Sequence, residues 1–417
     1  LTVTPDQSAL VERFLRYSTI SSQSDASKGV VPSSAGQWDL AKLLAKELND
    51  AGAEDVHVSD TAVVTARIPS NVENPEDFYT IGFCTHLDTV DVNLSPDVHA
   101  HVVEYDDGDI LLNDEKQIWM RSDEHPELKA YIGDNILVTD GTSVLGADDK
   151  AGVTSVMETA VRLLEGASFP HGDVYLSFVP DEEIGLRGVR TLDLDRFPVD
   201  FAFTLDSCEI GEIVEATFNA ATITIHIEGV TAHPMNSKGN LVNPILIAHD
   251  IIDSFDREET PENTEDREGY IWVHGIDGNQ STTTLTISVR EHDRVKYEEK
   301  KQHVAEAVDR ARKNNPKATI DIRVEDTYSN IEDAKTLENA VATDRILQAM
   351  ENLSITPKPL SMRGGTDGSW LSSQGVFTPN FFTGAHNFHS IYEFLPLTSF
   401  EKSFLMVREL IRLARRQ

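Results

Sequence analysis

The apolar positions of the chain repeat in two different ways. Residues 6 to 17 and the stretch QWDLAKLLAKELNDAG carry apolar side chains at helical spacing. The second stretch has Leu40, Leu43, Leu44 and Leu48 on one face and Gly52 at its end. Ser34 and Gln37 open it at the spacing of a capping box. Apolar runs at 62 to 68, 79 to 90, 173 to 185 and 199 to 207 read as strands. A helical repeat follows Lys150, through Val153, Val156, Met157, Ala160, Val161 and Leu164, and another fills 398 to 415. Residues 91 to 135 are acidic and show little periodicity, so they read as a long loop excursion. Compact domains rarely keep such a loop unless it serves or overlies a site.

Between these parts the pattern changes. TITIHIEG alternates, with Ile223, Ile225 and Ile227 on one face. NPILIAHDIIDSF reads as a helix, YIWVHGI and TTLTISVR as strands, VKYEEKKQHVAEAVDRARKNN as a long charged helix, and ATIDIRVED as a strand. The order β-α-β-β-α-β is the ferredoxin-like pattern. The expected organisation is therefore an α/β domain of residues 1–217 and 329–417, a mixed sheet flanked by helices, interrupted by a compact insert at 218–328.

Composition narrows the function classes. The chain has 417 residues, 70 Asp and Glu against 36 Lys and Arg, and a net charge of −34. That balance argues against nucleic acid and anionic membranes as partners and favours cationic ligands. No apolar run is long enough for a membrane helix. The opening LTVTPDQSALVERF has neither a basic start nor an apolar core, so no signal peptide is expected. Cys84 and Cys208 are too few for a disulfide framework and fit a reducing, cytoplasmic setting.

The candidate chemistry lies at segment ends. Asp148 and Asp149, at the start of a predicted helix, would by themselves be caps. His86 and Asp88 close one strand, however, Asp181, Glu182 and Glu183 follow another, Asp206 ends a third, and His389 follows a late apolar segment. In open α/β sheets, ligands collect at the carboxyl ends of strands. Two carboxylates about 4 Å apart repel by roughly 4 kcal/mol at an effective dielectric of 20. Divalent cations remove that objection, and imidazole with carboxylate but no thiolate suits zinc, cobalt or manganese. Three ligating carboxylates and a hydroxide balance two dications, the paired arrangement recurrent in aminopeptidases.

The stretches VPSSAGQW, THLDT, LVTDGTSVLGADDKAG, PHGDVYLSFVPDEEIG, FNAA, RGGTDG and NFFTGAHNFH carry a family resemblance that spans residues 32 to 389. They resemble the co-catalytic dizinc exopeptidases, in particular the branch of tripeptide aminopeptidases called peptidase T. The resemblance implies a zinc-exopeptidase-like mixed sheet, with the insert as a lid or dimerisation domain, and so a possible homodimer. It implies that His86 is a ligand of the first metal, oriented by Asp88, and that Asp148 bridges. Glu182 is similar to the general base and Glu183 to a ligand of the second metal. Asp206 would complete the first metal and His389 the second. Asp149 is expected to be a cap or a supporting acid, and Asp181 to cap the turn after Pro180. His101, His171 and His386 read as ordinary surface or core residues.

Substrate contacts are expected from His233, Arg290 and Arg363, with structural ion pairing an equal alternative for Arg290. The chain departs from the family at Ser207-Cys208-Glu209, where small glycines are expected beside Asp206. The implied activity is hydrolysis of the N-terminal residue from short peptides. The alternatives are a related dimetal carboxypeptidase, dipeptidase or deacylase, and a non-catalytic metal or peptide binder. Glu182 argues against the last, because binding needs no base.

Overall fold

The computed structural model describes residues 3–166 and 169–416. Leu1 and Thr2, which open the stretch without leader features, lie outside them. The chain begins with α1 (Pro5–Ser18), α2 (Ala35–Ala51), β1 (Glu54–Val58), β2 (Val64–Ile68), β3 (Ile81–His86), β4 (His101–Tyr105), β5 (Ile110–Asn113), β6 (Ile118–Met120) and β7 (Asp134–Val138). There follow α3 (Ala147–Leu164), β8 (Val174–Val179), β9 (Phe201–Ser207) and β10 (Glu212–Ala216). The insert contributes β11 (Asn219–Glu228), α4 (Pro244–Asp253), β12 (Tyr270–Gly278), β13 (Thr282–Glu291), α5 (Arg294–Asn314) and β14 (Thr319–Tyr328). Last come α6 (Val341–Asn352), β15 (Lys358–Ser361), α7 (Asp367–Ser373), β16 (Asn380–Phe382), β17 (Phe394–Pro396) and α8 (Leu397–Arg412).

The main sheet has the order β1-β2-β8-β3-β9-β16-β10-β15. Its centre is parallel: β3 pairs in parallel with β8 and with β9, and β16 pairs in parallel with β9. The antiparallel β1–β2 and β2–β8 pairs make the sheet mixed. Central strands covered on both faces need apolar side chains on both, and the burial of Ile81 to His86 along all of β3 follows from this. α3 is buried on nearly every side, packing on β3 and β9 and against α1, α2 and α8. Its small residues Ala151, Gly152, Thr154 and Ser155 allow that approach.

Two expectations are corrected here. Ser34 starts α2, but its side chain caps nothing. Gln37 instead donates to Asp181 Oδ1 at 2.7 Å and accepts the Asp181 N–H, and Asp181 also accepts from the Ser33 N–H and hydroxyl. Asp181 therefore ties the turn after β8 to the start of α2 and does not cap its own turn. A capping box does form at α1, between Thr4 and Gln7.

The 91–135 excursion is structured as well. β4 and β17 flank β7 in a three-stranded antiparallel sheet, and β5 pairs with β6. Tyr105, Ile110, Leu112, Met120 and Leu128 form a small core with Ile136, Val138 and Phe394. Their apolar positions are short and spread over several turns, so no long periodicity reveals them. β1 shows no clear periodicity either: it is five residues long and none of them is buried.

The second unit gathers Ala216–Asp333 and Ser361–Gly365. Its sheet has the order β12-β13-β11-β14, antiparallel throughout, and α4 and α5 cover one face. The alternating isoleucines of β11 lie in that core. Ser361–Gly365 falls outside the expected 218–328 because Arg363 donates to the carbonyls of Asp266 and Glu268 and to Thr264 Oγ1. Among the described residues no helix is long and apolar enough to cross a membrane.

Candidate metal centre

β8, β3 and β9 are neighbours and point the same way, so their carboxyl ends share one edge of the sheet. His86 is the last residue of β3, Asp206 lies near the end of β9, and Glu182 and Glu183 follow β8. Asp148 and Asp149 begin α3, but their backbones are not helical: φ and ψ are −80° and 101° at Asp148 and −117° and 24° at Asp149. They cap nothing with their side chains, and Gly146 is the N-cap residue.

These residues converge. The two oxygens of Asp148 are divided between two imidazoles: Oδ1 lies 2.9 Å from His86 Nε2, and Oδ2 lies 3.0 Å from His389 Nε2. His389 Nε2 also lies 2.9 Å from Glu183 Oε1. On the other side, His86 Nε2 is 3.6 Å from Asp206 Oδ1 and 3.9 Å from Glu182 Oε2. Asp88 is fully buried. Its carboxylate accepts the N–H groups of Glu182 and Glu183 at 2.9 and 3.2 Å, which fixes the turn carrying both acids. His86 Nδ1 lies 3.0 Å from the Asp88 carbonyl and 3.3 Å from Asp88 Oδ1. Asp88 thus orients the imidazole through its backbone as well as its carboxylate. Asp149 accepts the His86 N–H at 3.1 Å.

Burial raises Glu183 to about 8 and Asp206 to about 7, with the Asp148 charge adding to both. Burial, then Asp206, lifts Glu182 well above the ordinary glutamate range. Burial also lifts Asp149. Hydrogen bonds to Asp148 and Glu183 raise His389 to about 11. Burial alone would lower His86, but Asp148, Asp206 and Asp88 outweigh it and hold the imidazole well above its ordinary value. Burial would likewise lift Asp148, but the two imidazoles outweigh it and hold its carboxyl far below the usual range. The buried carboxyls at this edge outnumber its two imidazoles, and burial together with their mutual repulsion makes their charged forms costly.

Divalent cations fit that imbalance. Three overlapping sets have donor atoms within 4.8 Å of one another: His86 with Asp149 and Asp206, His86 with Glu182 and Glu183, and Asp148 with Glu183 and His389. Asp149 Oδ1 is buried with no hydrogen-bond partner. The split of Asp148 between two imidazoles gives the cluster two centres, and the donor set suits two divalent ions.

Several contributors were not legible as such. Glu393 is buried and accepts the N–H groups of Gly146 and Asp148. Its signal was an acid between Tyr392 and Phe394 in an apolar run. Lys150 is buried beside the acids with Nζ on Ser22 Oγ at 2.8 Å, and burial lowers it to about 8. Asn380 Oδ1 accepts the Asp206 N–H. Asp367 is buried, and burial raises its carboxyl. Where glycines were expected, the Ser207 hydroxyl and the Cys208 N–H both bond Glu212, and Asp206 keeps its place. His386 is a core residue, stacked on Phe394 and bonded to Tyr131.

His233, Arg290 and Arg363 belong to the second unit. His233 is exposed, with Nδ1 accepting the Met235 N–H. Arg290 donates to the carbonyls of Ala221 and Val289 and lies over the Tyr328 ring, and Arg363 lies over Phe218 and Tyr270. The alternative expected for Arg290 was ion pairing; its observed partners are backbone carbonyls.

An imidazole and carboxylate centre at the carboxyl edge of a mixed α/β sheet defines a metal-centre protein of the α/β class. Residues 145–413 match the model of peptidase family M20/M25/M40, and the chain belongs to that family. A peptidase T-like protein of Yersinia pestis is 50% identical over 399 residues, 96% of each chain. A peptidase T of Fusobacterium nucleatum is 39% identical over 97% of this chain and 98% of its own. In fold, the chain is similar to the aminopeptidase PepT of Bacillus cereus, with a TM-score of 0.74, 24% identity, and 97% of this chain and 98% of that one covered. It is also similar to a tripeptidase of Staphylococcus aureus, with a TM-score of 0.75, 21% identity and 99% of each covered.

Proposed function

We propose that this protein is a dimetal aminopeptidase that removes the N-terminal residue from short peptides, tripeptides foremost. The observation that carries the reading is the division of Asp148 between His86 and His389, with Glu182 beside the first imidazole. His86 and Asp206 would hold one ion, Glu183 and His389 the other, with Asp148 shared. Zinc is the ion we assign, with cobalt and manganese as substitutes. When bound, such a pair polarises a carbonyl and acidifies water. The peptidase T relatives support the activity.

The residues of the chain divide the remaining work. Glu182, kept basic enough by burial and by Asp206, takes a proton from the attacking water at its carboxylate and returns it to the leaving amine. Asp88 holds Glu182 and Glu183 in place through their N–H groups. Asp149 accepts the His86 N–H at the end of β3, and the buried Lys150 donates to the Ser22 hydroxyl. Substrate-side roles are assigned to His233, Arg290 and Arg363. The donors of both arginines already meet backbone carbonyls, so the exposed His233 is the most accessible to a peptide. The 218–328 insert is assigned to substrate handling and self-association as a homodimer, and a cytoplasmic setting agrees with the two unbridged cysteines.

The test is hydrolysis of a tripeptide and of its N-acetylated form by the zinc-loaded protein. The free peptide should be cleaved and the blocked one left intact. Glu182→Gln should keep its metal and lose about 10²- to 10⁴-fold in kcat. Equal cleavage of the blocked peptide points to a carboxypeptidase or deacylase. Near-normal turnover by Glu182→Gln removes Glu182 from the mechanism.

A further inference from the structure

Glu393 joins two of the ligand-bearing segments. It is buried, and its oxygens go to two different amides: Oε2 accepts the Gly146 N–H at 2.8 Å, and Oε1 accepts the Asp148 N–H at 3.1 Å. The first N–H groups of a helix have no partner within it. At α3 the N-cap is a glycine, which has no side chain to supply one. Glu393 takes that place from 245 residues away.

The same loop carries His389. Reciprocal backbone hydrogen bonds between His386 and Phe394 close it, and the Glu393 N–H bonds Ser390 O within it. Asp148 is therefore gripped twice from one loop: Glu393 holds its backbone and His389 meets its carboxylate. The β7–β17 ladder pairs Val138 with Phe394, so the strand leading to Asp148 and the strand leaving Glu393 lie side by side. Glu393 itself belongs to none of the metal-ligand sets found among the described residues.

We propose that Glu393 is a positioning residue that sets the spacing of Asp148 against His389, and so governs the affinity of the ion held by Asp148, Glu183 and His389. The proposal rests on the metal assignment above. The geometry calls for a carboxylate of this length. Glutamine keeps one acceptor but turns an NH₂ toward the other N–H, donor against donor. Aspartate is one methylene short of reaching both amides. Either leaves a buried donor unpaired, which is costly enough to move the loop.

The experiment is a calorimetric zinc titration of the metal-free full chain, wild type against Glu393→Gln, with the melting temperature of each metal-free form measured alongside. Wild type should take two ions. Glu393→Gln should weaken one of them by about 10- to 100-fold, the scale for outer partners of metal ligands. The other, which shares Asp148 but not His389, should lose less, and the metal-free melting temperature should fall only slightly, by the cost of one unpaired buried amide. If Glu393→Gln does not fold, Glu393→Asp is titrated in its place, with the same selective loss expected. Two unchanged affinities overturn the proposal. So does an equal loss at both positions accompanied by a much lower metal-free melting temperature, which would make Glu393 a general support of the fold. A wild type that takes no ion sinks the metal assignment itself, a result distinct from either.

Discussion

Asp148 faces two imidazoles with its two oxygens, and the proton balance of the centre follows from that. In the metal-free protein, His389 sits at about 11 because Asp148 and Glu183 hold its proton. Its raised value contributes stability below the ordinary histidine range, and that contribution is lost as pH rises through about 11. Burial raises Glu183 to about 8 and Asp206 to about 7. Both therefore bind protons more tightly folded than unfolded, and the metal-free fold loses stability as pH rises from the ordinary carboxylate range through those values. A divalent ion must displace these protons. Metal uptake near neutrality should release protons, and apparent affinity should tighten as pH rises from about 5 to about 8. Calorimetry in two buffers of different ionisation enthalpy checks this. A heat independent of buffer contradicts it.

At the scale of elements, the closeness of α3 to β9 decides where the acids stand. A Cβ on Gly152 would lie 2.3 Å from Asp149 Oδ1 and 2.7 Å from the Leu205 carbonyl oxygen. Neither can give way easily: one belongs to a central strand, and the other to the acid that receives the His86 N–H. Gly152→Ala should destabilise the protein by about 1 to 3 kcal/mol, the usual cost of overpacking. Thermal unfolding reads this, and an unchanged midpoint would mean that α3 is not seated on β9 as described. The 91–135 excursion also acts at this scale. Its strands and small core hold β7 and Phe394, and through them the loop of His389 and Glu393.

At the scale of the whole molecule, charge dominates. With 70 acids against 36 bases, the net charge of −34 opposes compaction through self-repulsion. Salt shortens the reach of that repulsion, from about 10 Å at 0.1 M to about 3 Å at 1 M. The melting temperature of the metal-loaded protein should rise as potassium chloride is raised over that range. A flat or falling trend would show that local ion pairs outweigh the global repulsion. The family match and the division into two units belong to this scale too.

By itself the sequence determined the elements with clear periodicity and the acids and histidines at their ends. Period 2 in β11 and period 3.6 in α2 are local properties, readable wherever one face is buried. Only the tertiary structure decided how those ends meet. Asp181 reaching α2, Asp88 holding the Glu182 turn, and Glu393 filling the start of α3 are contacts between residues 94 to 247 positions apart. No local pattern encodes them. Each exists because a buried N–H must find an acceptor, and the folded sheet brings the nearest one from elsewhere in the chain.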